Sequence, residues 1–106
     1  MSFDVVFTID APPGSRRPKD IARDIVYAAA PDYTARLRWG EDARFGEQNF
    51  VLECAASKQD AESILQAIKI RLTSAYQDGV IRYADWRVVE SGGARGLPRP
   101  PATSNF

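Results

Sequence analysis

The amino-acid sequence predicts a small α+β fold, in which one antiparallel β-sheet carries two helices on a single face. Four segments alternate between a largely apolar and a largely polar side, as is typical of half-buried strands. Two other segments space their apolar residues three and four positions apart, which favours amphipathic helices. The segments follow the order strand, helix, strand, strand, helix, strand, and a chain of 106 residues is long enough for one stable core.

The first strand is predicted from Phe3 to Asp10, and the first helix runs from Pro18 to a stop at Pro31. Proline suits the first helical turn because the amide that it lacks would have no helical partner there. The apolar side of the strand consists of four residues, Phe3, Val5, Phe7 and Ile9.

Tyr33 to Trp39 alternates again and predicts a second strand, with arginines on its polar side. A long hairpin loop is predicted from Gly40 to Gln48, because two glycines and four charged residues lie between the flanking strand patterns. Asn49 to Ala55 is the predicted third strand.

The second helix is the segment whose start, face and end are all indicated by residue chemistry. Ser57 and Asp60 have the spacing of a capping box, in which side chains accept hydrogen bonds from the amides of the first turn. Gly79 provides a left-handed stop. We therefore expect the helix between these positions to lie with one apolar face on the sheet.

The fourth strand is predicted within Val80 to Glu90, which completes the element order of a ferredoxin-like fold. In that arrangement both helices cover one face of a four-stranded antiparallel sheet, and the other face is open. Strand alternation assigns mixed charges to the open face, which is predicted to carry Asp4, Val6, Thr8, Arg36, Arg38, Val51, Glu53, Tyr83, Asp85, Arg87 and Val89.

Residues 91–106 are predicted to form a flexible tail rich in glycine and proline, outside the single domain of residues 1–90. The tail contains an Arg-x-Leu-Pro-x-x-Pro segment, a form found in ligands of Src-homology-3 domains. The motif positions are Arg95, Leu97, Pro98 and Pro101. A plain disordered end is the alternative interpretation.

The composition argues against several classes of function. The chain has no histidine and a single cysteine, which disfavours a transition-metal site, a bound cofactor and histidine-assisted catalysis, so we expect no enzyme. Fourteen basic and fourteen acidic residues cancel, which removes the general electrostatic drive toward nucleic acid or an anionic membrane. With one cysteine, no leader pattern and no long apolar run, we expect a cytoplasmic protein without a membrane partner.

The open sheet face is the first candidate site, with candidate binding residues Arg36, Arg38, Glu53, Tyr83, Asp85 and Arg87. Ferredoxin-like domains often bind RNA or a second subunit through this face. Compared with the third-strand motif of RNA recognition modules, the segment from Gly46 to Glu53 keeps only Phe50 and Val51, so stacking aromatics are missing. Balanced charge instead favours a solvated face or a self-complementary dimer.

The loop before the first helix is the second candidate site, where Gly14, Arg16 and Arg17 precede a helix N-terminus that favours an anion. Its place after the first strand resembles the phosphate-binding loop of acylphosphatases, which share this order of strands and helices. The resemblance implies an anion-binding enzyme centred on these residues. The chain departs from that family by lacking its Gly-x-Val-x-Gly-Val pattern and by carrying Pro12 and Pro13.

The third candidate site is an apolar patch formed by Trp39 and Phe45 at the hairpin loop. Taken together, these features lead us to expect a non-catalytic binding or regulatory module that associates with itself, as a homodimer, or with another protein. The first alternative is a nucleic-acid-binding domain that uses the basic residues of the open face. The second alternative is the acylphosphatase-like enzyme.

Overall fold

The structure is a computed structural model of the chain, and it describes residues 1–40 and 47–91. Its elements are β1 (Phe3–Asp10), α1 (Pro18–Ala29), a 3-10 helix (Pro31–Arg36), β2 (Leu37–Trp39), β3 (Glu47–Ala56), α2 (Lys58–Gln77) and β4 (Tyr83–Glu90). The prediction of an α+β fold with a four-stranded antiparallel sheet and two helices is confirmed.

The sheet has the strand order β2-β3-β1-β4, and each neighbouring pair is antiparallel. The central strand β1 pairs with β4 along all eight of its residues without a shift in register. In contrast, β2 contributes only three residues at the opposite edge. The two edges of the described sheet therefore differ greatly in length.

The hydrophobic core lies between one face of the sheet and both α-helices. The rings of Phe7 and Phe50 stack at its centre with their centroids 5.2 Å apart. The helices contribute mainly aliphatic side chains to this core, among them Ile21, Ala22, Ile25, Val26, Ile68 and Leu72. Since both helices bury their apolar residues in the same cluster, the other sheet face is left to the polar residues of the strands.

Both ends of α2 follow the chemistry that predicted them. The Ser57 hydroxyl accepts a hydrogen bond from the Asp60 amide at 3.1 Å, which satisfies one of the unpaired donors of the first turn. Gly79 has a φ of +76°, a conformation that glycine adopts without steric cost. The Ser57 half of the predicted capping box and the stop at Gly79 are confirmed.

The prediction of a second strand from Tyr33 to Trp39 is wrong over its first half. Residues 31–36 form a 3-10 helix in which the Thr34 hydroxyl donates to the Pro31 carbonyl at 2.9 Å. Proline favours a helical first turn, and four alternating residues are too few to distinguish a strand from a tight helix. Arg36 therefore does not lie in a strand on the open face, and its guanidinium instead lies 5.6 Å from the centroid of the Tyr33 ring.

A β-bulge in β3 is held by the carboxylate of Asp4. Val5 faces Leu52 but Phe3 faces Ala56, so that three residues of β3 lie opposite one residue of β1. Ala55 within this bulge has a φ of +48°, which disfavours a non-glycine residue. The buried Asp4 carboxylate accepts hydrogen bonds from the Ala55 amide at 2.9 Å and the Ser91 hydroxyl at 3.0 Å.

Replacing Asp4 by alanine is expected to destabilise the fold by about 2 kcal/mol, because the Ala55 amide and the Ser91 hydroxyl would both lose the acceptor that the buried carboxylate provides. Asp4→Asn keeps a side-chain oxygen and is expected to lose less. Urea denaturation of both variants tests this, with Asp32→Ala, an exposed aspartate of the 3-10 helix, as the control. Equal midpoints for Asp4→Ala and Asp32→Ala would contradict the assigned role.

Candidate functional site

The open face contains one row of side chains that crosses all four strands. The row runs from Arg38 on β2 through Val51 and Val6 to Arg87 on β4. Since neighbouring strands lie about 4.8 Å apart, the two arginine Cα atoms are separated by about 14 Å. Val6 is only 3% exposed, so the row has an apolar middle between two cationic ends.

A second row lies two residues further along the strands on the same face and consists of Asn49, Thr8 and Asp85. The Thr8 hydroxyl is buried and donates a hydrogen bond to the Asn49 side-chain oxygen at 2.6 Å. The Asp85 carboxylate accepts a hydrogen bond from the Trp86 amide at 2.8 Å. This row places polar groups beside the valines and provides both donors and acceptors.

The two arginines of the first row have different surroundings. Arg38 pairs with Glu53 at 3.3 Å, and both side chains are at least half exposed, so this pair contributes less than about 1 kcal/mol. The Nε atom of Arg87 is buried and has no hydrogen-bond partner among the described residues. A buried donor without an acceptor is costly, and an acceptor placed beside it from outside would be favoured.

Most of the predicted open-face residues lie where strand alternation placed them. Arg38, Glu53, Tyr83, Asp85 and Arg87 all belong to β2, β3 or β4, and only Arg36 is misplaced. Sequence reasoning did not choose Asp4, Thr8 or Asn49 as site residues, although alternation assigned the first two to this face. Their hydrogen bonds depend on the register between strands, which the alternation of residues along one strand does not determine.

The arginines of the predicted anion loop are bound to acids of α1. Gly14 is exposed with a φ of +81°, which suits the turn closed by the Ser15 amide on the Pro12 carbonyl. Arg16 forms an ion pair with Asp24, and Arg17 pairs with Asp20 at 3.2 Å. The loop cations are therefore locally balanced and do not converge on one anion-binding position.

Arg16 also lines a groove of about 270 Å³ between α1 and α2. The groove has an apolar floor and a rim with charges of both signs, and the rim residues are Arg16, Asp24, Arg71 and Asp78. Because two acids and two arginines line the rim, the groove has no consistent electrostatic preference for an anion or a cation.

The apolar loop patch is described only in part. Trp39 is half-buried against the core, and the guanidinium of Arg23 lies 5.6 Å from its ring centroid. Phe45 lies outside the described residues, as do Arg95, Leu97, Pro98 and Pro101 of the tail motif. The patch and the motif remain predictions.

Cys54 is buried in the core, where burial raises the pKa of its thiol to about 11. A thiol with this pKa is protonated near neutral pH and is a poor nucleophile. Within residues 1–40 and 47–91, no group of three or more histidine, cysteine, aspartate or glutamate residues is placed to hold a metal ion. No helix in the same ranges has the length and apolar character needed to cross a membrane.

No protein-family model matches the chain, and no curated protein matches its sequence. The functional interpretation therefore depends on the chemistry of the described residues. On the open face, charges of both signs lie around a small apolar centre, an arrangement that suits contact with a protein surface.

Alkaline pH is expected to reduce the free energy of unfolding through Cys54. The thiol ionises near pH 9 in the unfolded chain and near pH 11 when folded, so the unfolded state loses its proton first. The contribution of Cys54 to stability is therefore unchanged below pH 9 and is lost between pH 9 and 11, by about 2 to 3 kcal/mol in total. Urea denaturation at several pH values should show a steeper loss for the natural chain than for Cys54→Ala, and parallel slopes would contradict this.

Replacing Arg87 by methionine is expected to leave the isolated chain as stable as before, or to stabilise it by up to about 1 kcal/mol. The change removes a buried donor that lacks an acceptor and keeps an apolar stem of similar length. Thermal unfolding at low protein concentration measures this, with Arg38→Met as the exposed control. A large loss of stability in Arg87→Met alone would show that the guanidinium is satisfied within the chain.

Proposed function

We propose that the chain is a ferredoxin-like, non-catalytic module that associates with protein through the sheet side of the domain, meaning the open face and the adjoining β4 edge. Read from the other edge, the strand order is β4-β1-β3-β2, which is the order expected when two split βαβ units form one sheet. The helices bury their apolar faces in the core, so the sheet side presents the larger organised polar surface.

The observation that carries the proposal is the unpartnered Nε of Arg87. It lies beside the buried Val6 and is itself buried, so a carboxylate or carbonyl from another molecule would satisfy it after the arginine side chain turns outward. Arginine is enriched at protein interfaces because its planar group combines an apolar surface with several donors. Asp85 on the same strand, and Glu53 in its pair with Arg38, add carboxylates to this face.

Nucleic-acid binding is less well supported than protein binding by the same residues. Arg38 is paired with Glu53, and Arg36 stacks on Tyr33 away from the open face. A nucleic-acid surface needs unopposed cations and several aromatic rings for base stacking. The acylphosphatase-like alternative is weakened in the same way, because Arg16 and Arg17 are bound to acids.

The proposal includes a reducing compartment such as the cytoplasm, with no membrane partner. It is supported by the single cysteine, which is free and buried in the core.

The proposal predicts that self-association or partner binding is sensitive to Arg87 and insensitive to the helix side. Arg87→Glu reverses a charge on the sheet side, whereas Arg71→Glu makes the same change at an exposed position of helix α2. Light scattering over a concentration series, at low and high salt, should show mass above 11.7 kDa for the natural chain and for Arg71→Glu. Arg87→Glu should shift the curve toward the single chain.

Circular dichroism and thermal unfolding should be measured alongside, to confirm that both variants are folded. Equal effects of the two charge reversals would contradict a sheet-side interface. A fluorescent single-stranded oligonucleotide provides a separate test, and binding that weakens steeply with salt would favour the nucleic-acid alternative instead.

A further inference from the structure

The two edges of the described sheet differ in how well they are protected against pairing with a strand of another molecule. At one edge, β2 is only three residues long and is preceded directly by the 3-10 helix. At the other edge, β4 is eight residues long, contains neither proline nor glycine and keeps a regular register with β1. Long, regular edge strands are templates for pairing with another strand.

Two hydrogen bonds identify which residues of β4 direct their backbone groups away from β1. The Ser91 amide donates to the Ser2 carbonyl at 2.8 Å, so the odd-numbered residues at this end pair with β1. The Trp86 amide donates to the Asp85 carboxylate instead. Since residues alternate in an antiparallel ladder, the outward groups belong to the even-numbered residues Ala84, Trp86, Val88 and Glu90.

The charges of β4 are complementary when the strand is reversed about Trp86. One position away on either side are Asp85 and Arg87, which have opposite charges. Glu90 lies four positions away at the end of β4, and its counterpart Arg82 lies just before the strand, where it pairs with Asp10 at 3.2 Å. Two copies of the strand placed antiparallel and centred on Trp86 would therefore bring opposite charges together on both sides of the centre.

We propose that β4 pairs antiparallel with β4 of a second copy of this chain, centred on Trp86, to form a continuous eight-stranded sheet. The inference deepens the proposed sheet-side association, and rests on it, by naming the partner and the register. Asp85 of each copy then lies opposite Arg87 of the other. The remaining opposed pairs are Tyr83 with Val89 and Ala84 with Val88, while Trp86 lies opposite its own equivalent.

Other registers are less favourable. Centring the pair on Asp85 would place two carboxylates opposite each other, and centring it on Arg87 would do the same with two guanidinium groups. Registers displaced by an odd number of positions would oppose outward backbone groups to inward ones, so their hydrogen bonds could not form. Centres at Ala84 or Val88 satisfy the backbone but leave both charges without an opposed partner.

The proposed register also changes the surroundings of two polar groups of β4. In the single chain, the Asp85 carboxylate accepts the hydrogen bond of the Trp86 amide. In the pair, that amide donates to the Trp86 carbonyl of the second copy, and the carboxylate is released to face its Arg87. The guanidinium whose Nε lacks an acceptor within the described chain thereby gains a carboxylate.

Charge exchange tests the register. Asp85→Arg and Arg87→Asp, each alone, create like-charged pairs and are expected to raise the dissociation constant of the dimer at least about tenfold. The double variant Asp85→Arg/Arg87→Asp restores opposite charges and should return the constant to within about threefold of the natural chain. Sedimentation equilibrium measures all four proteins, with Arg71→Asp as the control and circular dichroism as the check on folding.

Cysteine trapping provides a second measurement, which reports the residues that lie opposite each other without a value for the dissociation constant. In a Cys54→Ala background, Asp85→Cys and Arg87→Cys chains are prepared separately and then mixed under mild oxidation. Directly opposed residues of a non-hydrogen-bonded pair have a Cα separation compatible with a disulfide. We expect a cross-linked dimer in the mixture and little in either chain alone.

The outcomes separate this inference from the proposed function. Cross-linking within one chain type alone would overturn the register, because it places residue 85 or 87 opposite itself. Self-association that is sensitive to Arg87→Glu but not rescued by the charge exchange would overturn β4 pairing while leaving sheet-side association intact. A natural chain that stays at 11.7 kDa at every concentration would overturn the homodimer, and sheet-side association would then require a different protein.

Discussion

The register of β1 is the constraint on which the rest of the structure depends. This strand is central, so its pairing determines which residues of β3 and β4, as well as its own, face the core. Phe7 stacks on Phe50 only because the two lie directly opposite each other, and Val6 meets Arg87 for the same reason. A slip of β1 by one residue would turn its own apolar residues, Phe7 among them, to the open face, and is disfavoured by the loss of their burial.

Local sequence chemistry predicted the elements whose signals are redundant. The bounds of β1 follow from eight alternating residues, and the ends of α2 follow from Ser57 and Gly79. Residues 31–36 had a single short alternation that a 3-10 helix satisfies equally well. The bulge at Ala55 was beyond prediction, because alanine has no preference for a positive φ and its support comes from Asp4, a residue 51 positions away.

The site was predictable to the level of which face each side chain occupies. Alternation placed Arg38, Glu53 and Arg87 together on the open face, where the structure has them. Arg38 has an ion-pair partner, whereas the Nε atom of Arg87 has none among the described residues. This difference depends on where each strand lies in the sheet, and therefore on the topology. Sequence alone therefore identified a mixed-charge face but could not identify the group in need of an acceptor.

In the proposed β4 pair, the edge strand would need to avoid unselective pairing while it remains available to its own partner, and Asp85 would meet both requirements. Its carboxylate accepts the hydrogen bond of the Trp86 amide, so an unrelated strand would have to displace it. A second copy would displace the same carboxylate but would offer it Arg87. The edge would then discriminate through the difference between these two costs, and a complementary cation opposite Asp85 is the feature that a competing strand would need to share.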